Sequence, residues 1–289
     1  MILFKKAAEL GEYLAIQRKK GLKTGFVPTM GALHNGHISL INACRKQNDL
    51  TICSIFVNPT QFNDPNDFKK YPKTIEADIY LLEKEGCDIV FLPSVDEIYP
   101  SGTPTIHYEL GFLETVLEGK YRPGHFQGVC QVVDRLLQIM MPDQLFLGQK
   151  DYQQCMVIKK LIELTSTPTE LIICTTQREE SGLAMSSRNM RLSNNEKNNA
   201  INIYNTLHLV QKEIQPGDLS QLKQKAAEYL ISKGFTVDYV EIANTATLQL
   251  IDNWNGSTPL IALAAAFLND VRLIDNIILD SETTRSKNQ

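Results

Sequence analysis

The stretch FVPTMGALHNGHISLI, Phe26 to Ile41, decides the fold. It opens as the apolar end of a strand, passes through Pro28, Gly31 and Gly36, and continues into a helix-like run carrying Ile38, Leu40 and Ile41. A joint of this kind points the first N–H groups of the new helix, and the positive end of its dipole, at one place. An anionic phosphate is held there without a net charge. His34 and His37 stand three residues apart, so a helix starting near Asn35 projects both imidazoles from one side of its first turn. The short HxGH pattern by itself also admits a glycine-containing turn with two surface histidines; the strand before it and the helix after it favour the anion site.

Outward from this joint the chain alternates strand and helix. Apolar, β-rich runs at Lys23 to Val27, Leu50 to Val57, Asp88 to Leu92, Gln144 to Leu147 and Leu171 to Thr175 are separated by helical patterns at Gly36 to Gln47, Thr74 to Glu85, Phe126 to Met140 and Asp151 to Leu164. The alternation predicts an α/β, Rossmann-like, mostly parallel sheet with helices on both faces, which binds ligands at the carboxyl ends of its strands. The polar segments FVNPTQFNDPNDFKKYP, LGQKDYQQ and TTQREESGLAMSSRN follow strands at those ends, so distant parts of the chain are expected to line one pocket. Beyond Arg191 the pattern changes to two helices, Ser193 to Ile214 and Leu219 to Lys233, and three strands, Thr236 to Ile242, Pro259 to Phe267 and Val271 to Leu279. That predicts a small α+β module with an antiparallel sheet. The expected domains are a catalytic one over 1–178 and a C-terminal one over 179–289, with the polar tail DSETTRSKNQ disordered.

Composition narrows the class. The chain has 289 residues, 43% hydrophobic and 21% charged, enough for two ordinary globular cores. A net charge of -4 argues against non-specific nucleic-acid binding. The N-terminus MILFKKAAELGEYLAIQRKK reads as one amphipathic helix, with neither a long apolar core nor a small-residue cleavage site. No apolar run reaches membrane-spanning length; PLIALAAAFL is far too short. The protein is therefore expected in the cytoplasm, without a membrane or nucleic-acid partner. Six cysteines, Cys44, Cys53, Cys87, Cys130, Cys155 and Cys174, are widely spaced in apolar settings with no CxxC pair, the pattern of reduced, mostly buried thiols.

Three further segments carry chemistry. AMSSRN places Met185, Ser186, Ser187 and Arg188 together, two hydroxyls and a bidentate guanidinium suited to a polyphosphate, although a serine helix cap explains the string equally well. LGQKDYQQ puts Lys150 and Asp151 directly after a strand, where a lysine either stabilises charge growing on a phosphate or is simply solvated; at a helix start the dipole disfavours it, which tilts the reading towards function. FVNPTQF sets Asn58 and Gln61 around Pro59, amides suited to hydroxyls and a carboxylate, or an Asn-Pro turn with a polar surface residue. YRPGHFQGV adds Arg122 and His125 beside Gly124 and Gly128 and is uninformative alone.

Taken in order, PTMGALHNGH, FVNPTQF, RPGHFQGV, LGQKDYQQ and GLAMSSRN resemble the pantothenate synthetases of the HIGH-motif nucleotidyltransferase superfamily, and AAAFLNDVRLIDN resembles their C-terminal segment. The resemblance implies an AMP-forming ligase that joins pantoate to β-alanine through pantoyl adenylate, with ATP and Mg²⁺ and as a homodimer. It implies an ATP segment from Met30 through Gly31, Ala32, Leu33, His34, Asn35 and Gly36 to His37, with His37 as general acid and His34 and Lys150 as its catalytic companions. By the same correspondence Gly148, Gln149, Lys150, Asp151 and Gln177 hold the nucleotide, and Met185, Ser186, Ser187 and Arg188 its phosphates. Gln61 and Gln154, helped by Asn58, hold pantoate, and Tyr71 and Arg122 lie at the edge. Asp78 is the one metal candidate. Departures from the family pattern are Gln177 for Val, Ser181 for Asp, Lys73 for Arg, and Asn269 with Asp270 for Gly-Lys; none removes a proposed catalytic group.

Rival readings fare worse on these residues. A transferase acting on a phosphorylated acceptor calls for more cations than Asn58, Gln61 and Gln154 supply. A tRNA-charging enzyme calls for a basic surface that this acidic chain lacks. A non-catalytic nucleotide binder has no use for His34, His37 and Lys150 together.

Overall fold

A computed structural model describes residues 1–63, 65–102 and 104–279. Its contacts divide the chain into two compact units, Met1–Gln149 with Gln153–Gln177, and Lys150–Tyr152 with the chain from Arg178 onward. The sequence reading divides the chain at 178/179; the contacts divide it at 177/178 and put the three residues 150–152 in the second unit, which no local pattern signals. The tail from 280 to 289, expected to be disordered, lies outside the described residues.

The first unit runs β1 (Ile2–Phe4), α1 (Ala7–Lys19), β2 (Thr24–Thr29), α2 (Asn35–Arg45), β3 (Leu50–Ile55), α3 (Pro65–Lys70), α4 (Ile75–Lys84), β4 (Ile89–Phe91), α5 (Val95–Ile98), α6 (Leu117–Tyr121), α7 (His125–Met140), β5 (Gln144–Gly148), α8 (Tyr152–Thr165) and β6 (Glu170–Cys174). The first residues correct the reading of a single N-terminal helix. Ile2, Leu3 and Phe4 pair in parallel with Ile89, Val90 and Phe91, because an edge strand satisfies backbone groups that a frayed helix end leaves open.

The sheet is six-stranded in the order β1-β4-β3-β2-β5-β6, with every pairing parallel. From β2 the chain steps outward to β3 and β4, then returns to the other side for β5 and β6. Right-handed crossovers therefore place helices on both faces, and the order reverses between β2 and β5. The pairing itself opens there. β2 follows β3 through six residues, Thr24 to Thr29, but meets β5 only at Gly25 and Phe26. Pro28, two residues on, brings no N–H to extend that ladder. A crevice at the switch point follows from one residue type.

Apolar burial holds this arrangement. Leu40, Ile41 and Cys44 of α2 and Leu82 of α4 pack with Val27, Cys53, Ile55, Val90 and Phe146 from the central strands. Burial pushes the Cys44 thiol up to about 11 and the Cys87 thiol up to about 12, so neither is a thiolate near neutrality.

In the second unit, α9 (Asn194–Ala200), α10 (Asn202–Glu213), β7 (Gly217–Asp218), α11 (Ser220–Ser232), β8 (Thr236–Asn244), β9 (Asn253–Trp254), β10 (Leu260–Leu268) and β11 (Val271–Leu279) follow in order; the helices accompany an antiparallel sheet of order β11-β10-β8, and β7 pairs with β9 in a separate two-stranded sheet. The helix read as continuous over 193–214 breaks at Ile201. α9 starts on its own capping box, in which the Glu196 carboxylate accepts from the Ser193 N–H and hydroxyl and from the Asn269 amide. Asn269 turns the β10–β11 hairpin at φ 49°, a left-handed conformation that asparagine tolerates.

Gly25 tests the sheet. A Cβ there meets the Cys44 sulfur and stands 2.5 Å from the Asn48 amide nitrogen. Gly25→Ala is expected to lower unfolding free energy by about 1–3 kcal/mol, the usual cost of overpacking, in a urea melt of the full chain.

Candidate active site

α2 begins just past the carboxyl end of β2, and its N-cap is a histidine. The Gly36 N–H donates to His34 Nδ1 at 3.1 Å, and the His34 N–H donates to His37 Nδ1 at 3.3 Å. Two imidazoles thus occupy the places that Ser and Glu fill in an ordinary capping box. A ring nitrogen that accepts from a backbone N–H carries no proton, so each neutral ring bears its proton on Nε2. The rings lie side by side, centroids 4.1 Å apart and tilted by 43°. The first turn of α2 has no acidic side chain to neutralise the positive end of the dipole, which is therefore left to an external anion.

Asp78, in the first turn of α4, aims this cap. Its buried carboxylate accepts from the Ala32 N–H at 2.9 Å, the Leu33 N–H at 2.8 Å and the Thr74 hydroxyl at 3.1 Å. Those bonds hold a loop that turns through two successive left-handed residues, Gly31 at φ 80° and Ala32 at φ 48°. The second is costly for a residue with a Cβ and persists because the carboxylate fixes the amides on either side of it. Asp78, the metal candidate of the sequence, has both carboxylate oxygens engaged in these bonds. Among the described residues no three His, Cys, Asp or Glu side chains are grouped to hold a metal. The carboxylate is a loop anchor.

A second cluster forms after β3. Asn58 is 1% exposed and caps the 3-10 turn Pro59–Gln61. Its Oδ1 accepts from the Tyr99 hydroxyl at 2.9 Å, the Thr60 hydroxyl at 3.0 Å and the Thr60 N–H at 3.4 Å, while its Nδ2 donates to the Gly128 carbonyl and to Gln61 Oε1, both at 3.1 Å. The amide is engaged within the protein on both sides, and through Nδ2 it orients Gln61. Gln61 turns its Oε1 to Asn58, and its Nε2 lies 3.3 Å from the Met30 sulfur. From below, His125 at the start of α7 donates through Nδ1–H to the Gln61 carbonyl at 2.8 Å. Gly128 lets α7 come this close, since a Cβ there falls 2.6 Å from the Thr60 carbonyl carbon.

The remaining candidates distribute as follows. Tyr71 is buried edge-on against Phe62, centroids 5.8 Å apart, and Arg122 pairs with the Glu118 carboxylate at 3.5 Å. Gln154 is half-buried on α8, beside Gln153, whose own amide is taken by the backbone of Leu113, Val116 and Glu118. Gly148 ends β5 and Gln149 opens a 3-10 turn. In the second unit, the Lys150 ammonium lies 3.3 Å from the Asp151 carboxylate, and the Lys150 carbonyl accepts from the Asn276 amide at 2.9 Å.

Arg178 organises the start of the second unit. It grips Asp275 through two bonds, of 2.6 and 3.0 Å, and lies 3.8 Å above the Tyr204 ring centroid. A bridge from Arg178 to Ala184 closes a tight hairpin ahead of Met185 to Arg188. Ser186 accepts from the Arg188 N–H at 3.3 Å, capping the 3-10 turn Ser187–Arg191, and Ser187 is buried. The capping reading of AMSSRN therefore describes its local bonds. Gln177 is exposed where the two units divide.

Comparison with known proteins gives the family. A model of the Pantoate-beta-alanine ligase family matches residues 2–278. The chain is 45% identical over 282 residues to the pantothenate synthetase of Cytophaga hutchinsonii, covering 96% of this chain and 99% of that one. It is 42% identical over 285 residues to that of Caldicellulosiruptor bescii, covering 98% and 100%. Among solved structures, the pantothenate synthetase of Thermus thermophilus superposes with a TM-score of 0.89 at 36% identity, over 96% of this chain and 99% of that one. The pantoate-beta-alanine ligase of Francisella tularensis, complexed with beta-gamma ATP and beta-alanine, does so at 0.80 and 40%, over 96% and 98%.

Asp78→Asn keeps the shape of the side chain but offers one acceptor in place of two, turning an NH₂ towards a backbone donor. The substitution is expected to cost about 1–3 kcal/mol of stability by chemical denaturation, the range for removing a charge-assisted bond from a buried group.

Proposed function

The chain belongs to the pantoate–β-alanine ligase family and catalyses ATP-dependent formation of pantothenate, and from that premise we propose how its residues divide the reaction. The pantoate carboxylate attacks the α-phosphorus of ATP, the bond from that phosphorus to the bridging oxygen breaks, and pyrophosphate leaves. The amine of β-alanine then attacks the acyl carbon of pantoyl adenylate and loses a proton, and AMP leaves. Charge grows on phosphate oxygens in the first step, and donors fixed beforehand stabilise it most.

The observation that carries this reading is the histidine cap at the sheet's switch point. Because Nδ1 of His34 and of His37 each accept a backbone N–H, both rings offer Nε2–H to the phosphates alongside the amides of the first turn of α2. His37 gives its Nε2 hydrogen bond to the oxygen gaining charge and is the general acid; His34 does the same for a neighbouring oxygen. Met30 to His37 and the Gly148–Gln149 turn flank the nucleotide from β2 and β5. Lys150 adds a point charge to the phosphates, and Asp151 keeps its ammonium in place. Gln177 lies by the adenine, and Met185, Ser186, Ser187 and Arg188 bind the triphosphate. Gln61 and Gln154 hold pantoate through amide donors, with Tyr71 and Arg122 at the rim. Mg²⁺ is held mainly by ATP itself, as it commonly is, with Asp78 its one candidate ligand from the protein. The enzyme acts in the cytoplasm as a homodimer; no helix among the described residues is long and apolar enough to cross a membrane.

The test is release of AMP and pyrophosphate from ATP with pantoate, with and without β-alanine. Wild type is expected to release AMP only as pantothenate forms, and His37→Ala to lose about 10²–10³-fold in kcat/KM for ATP, the usual loss on removing one preorganised donor. Appearance of ADP, or a His37→Ala enzyme as fast as wild type, overturns the assignment.

A further inference from the structure

We propose that Tyr99 is a positioning residue for pantoate, acting through Asn58 on the amide of Gln61. The inference rests on the reading that Gln61 holds pantoate.

The orientation of Gln61 is not set by Gln61 itself. A primary amide presents either an acceptor or two donors, and the choice depends on which atom its neighbour requires. Here the neighbour is Asn58, whose own orientation is fixed by two backbone groups of opposite kind: the Gly128 carbonyl takes its Nδ2–H, and the Thr60 N–H reaches its Oδ1. The backbone bond at Oδ1 is long, 3.4 Å, and the Tyr99 hydroxyl at 2.9 Å is the shortest contact that atom receives. The Thr60 hydroxyl does not secure Oδ1 alone, for it also lies 3.4 Å from both the Gly128 carbonyl and the Tyr99 oxygen. The Tyr99 hydroxyl gives Oδ1 its shortest hydrogen bond and so reinforces the orientation, chosen by the backbone groups, in which Nδ2 faces Gln61. Gln61 must then turn its Oε1 inward, at 3.1 Å, which leaves Nε2–H as the group it offers near Met30. A donor at that position suits the oxygen atoms of a hydroxy acid; an acceptor repels its carboxylate.

Tyr99 is held for this purpose. It ends α5 at the carboxyl side of β4, and its ring lies 6.4 Å from that of Phe56, the residue after β3, so hydroxyl and asparagine are carried by neighbouring strand ends. Tyr99→Phe keeps the ring and removes only the hydroxyl that reinforces the orientation of Asn58.

The experiment measures the affinity of the full-length enzyme for pantoate by calorimetry in the presence of a non-reacting ATP analogue, for wild type, Tyr99→Phe, Gln61→Ala and the double variant. Tyr99→Phe is expected to weaken pantoate about three- to tenfold, the range for one lost hydrogen bond, while the affinity for the ATP analogue stays within about twofold. In the Gln61→Ala background the same change is expected to add nothing, because Tyr99 acts only through Gln61. Unaltered pantoate binding in Tyr99→Phe, equal weakening of both ligands, or additive losses in the double variant each overturn the proposal. If Gln61→Ala itself leaves pantoate binding intact, the assignment of Gln61 fails and the proposal fails with it. Intact binding in Tyr99→Phe beside weakened binding in Gln61→Ala isolates the failure to Tyr99.

Discussion

A buried carboxylate carries the geometry of this protein. Asp78 accepts two successive backbone N–H groups from the loop after β2, and those bonds help hold Gly31 and Ala32 in left-handed conformations one after the other. The loop delivers His34 to the N-cap of α2, and the cap fixes the tautomer of both histidines. One ionised side chain, placed by an adjacent helix, thus determines which imidazole nitrogens face a ligand. The cost of burying that charge is offset by donors whose positions are set by the fold, and the bonded charge in return keeps the loop rigid.

A second constraint lies in the sheet. Parallel strands joined by right-handed crossovers leave a crevice where the order reverses, and here it falls between β2 and β5. The short β2–β5 ladder widens it at the point where Pro28 has no N–H. The positive end of α2 and the turn after β5 then border the same opening. The amides of the α2 turn, its dipole and the two imidazoles there form a cluster of donors that carries no acidic side chain in the first turn.

The acceptor side shows the same economy by other means. Asn58, Gln61, Thr60, Tyr99 and His125 form a chain of neutral hydrogen bonds in which every polarity is decided by a backbone group at one end. Such networks specify direction better than isolated residues, because reversing one amide leaves unlike groups facing each other throughout. Gly128 is part of it by having no side chain: α7 rests directly on the turn that presents Gln61.

The sequence by itself determined the α/β class, the alternation that makes the sheet parallel, the two-unit organisation and the family, because periodicity and local motifs are written in neighbouring residues. The histidine pair, the Asn58–Gln61 turn and the Ser186 cap were all legible for the same reason: each is made within four residues. The short edge strand Ile2–Phe4 was not, since its partner Ile89–Phe91 lies far along the chain and only the sheet brings them together. Asp78 reads in sequence as one more acid in a first helical turn; only the packing of α4 beside the β2 loop makes it an anchor for that loop. The parts played by Tyr99, His125 and the Arg178–Asp275 pair were not legible, because their partners lie 41, 64 and 97 residues away in the chain. Tertiary structure decided the directions of these polar groups, since a hydrogen bond depends on where its partner stands and not on how near it lies in the chain.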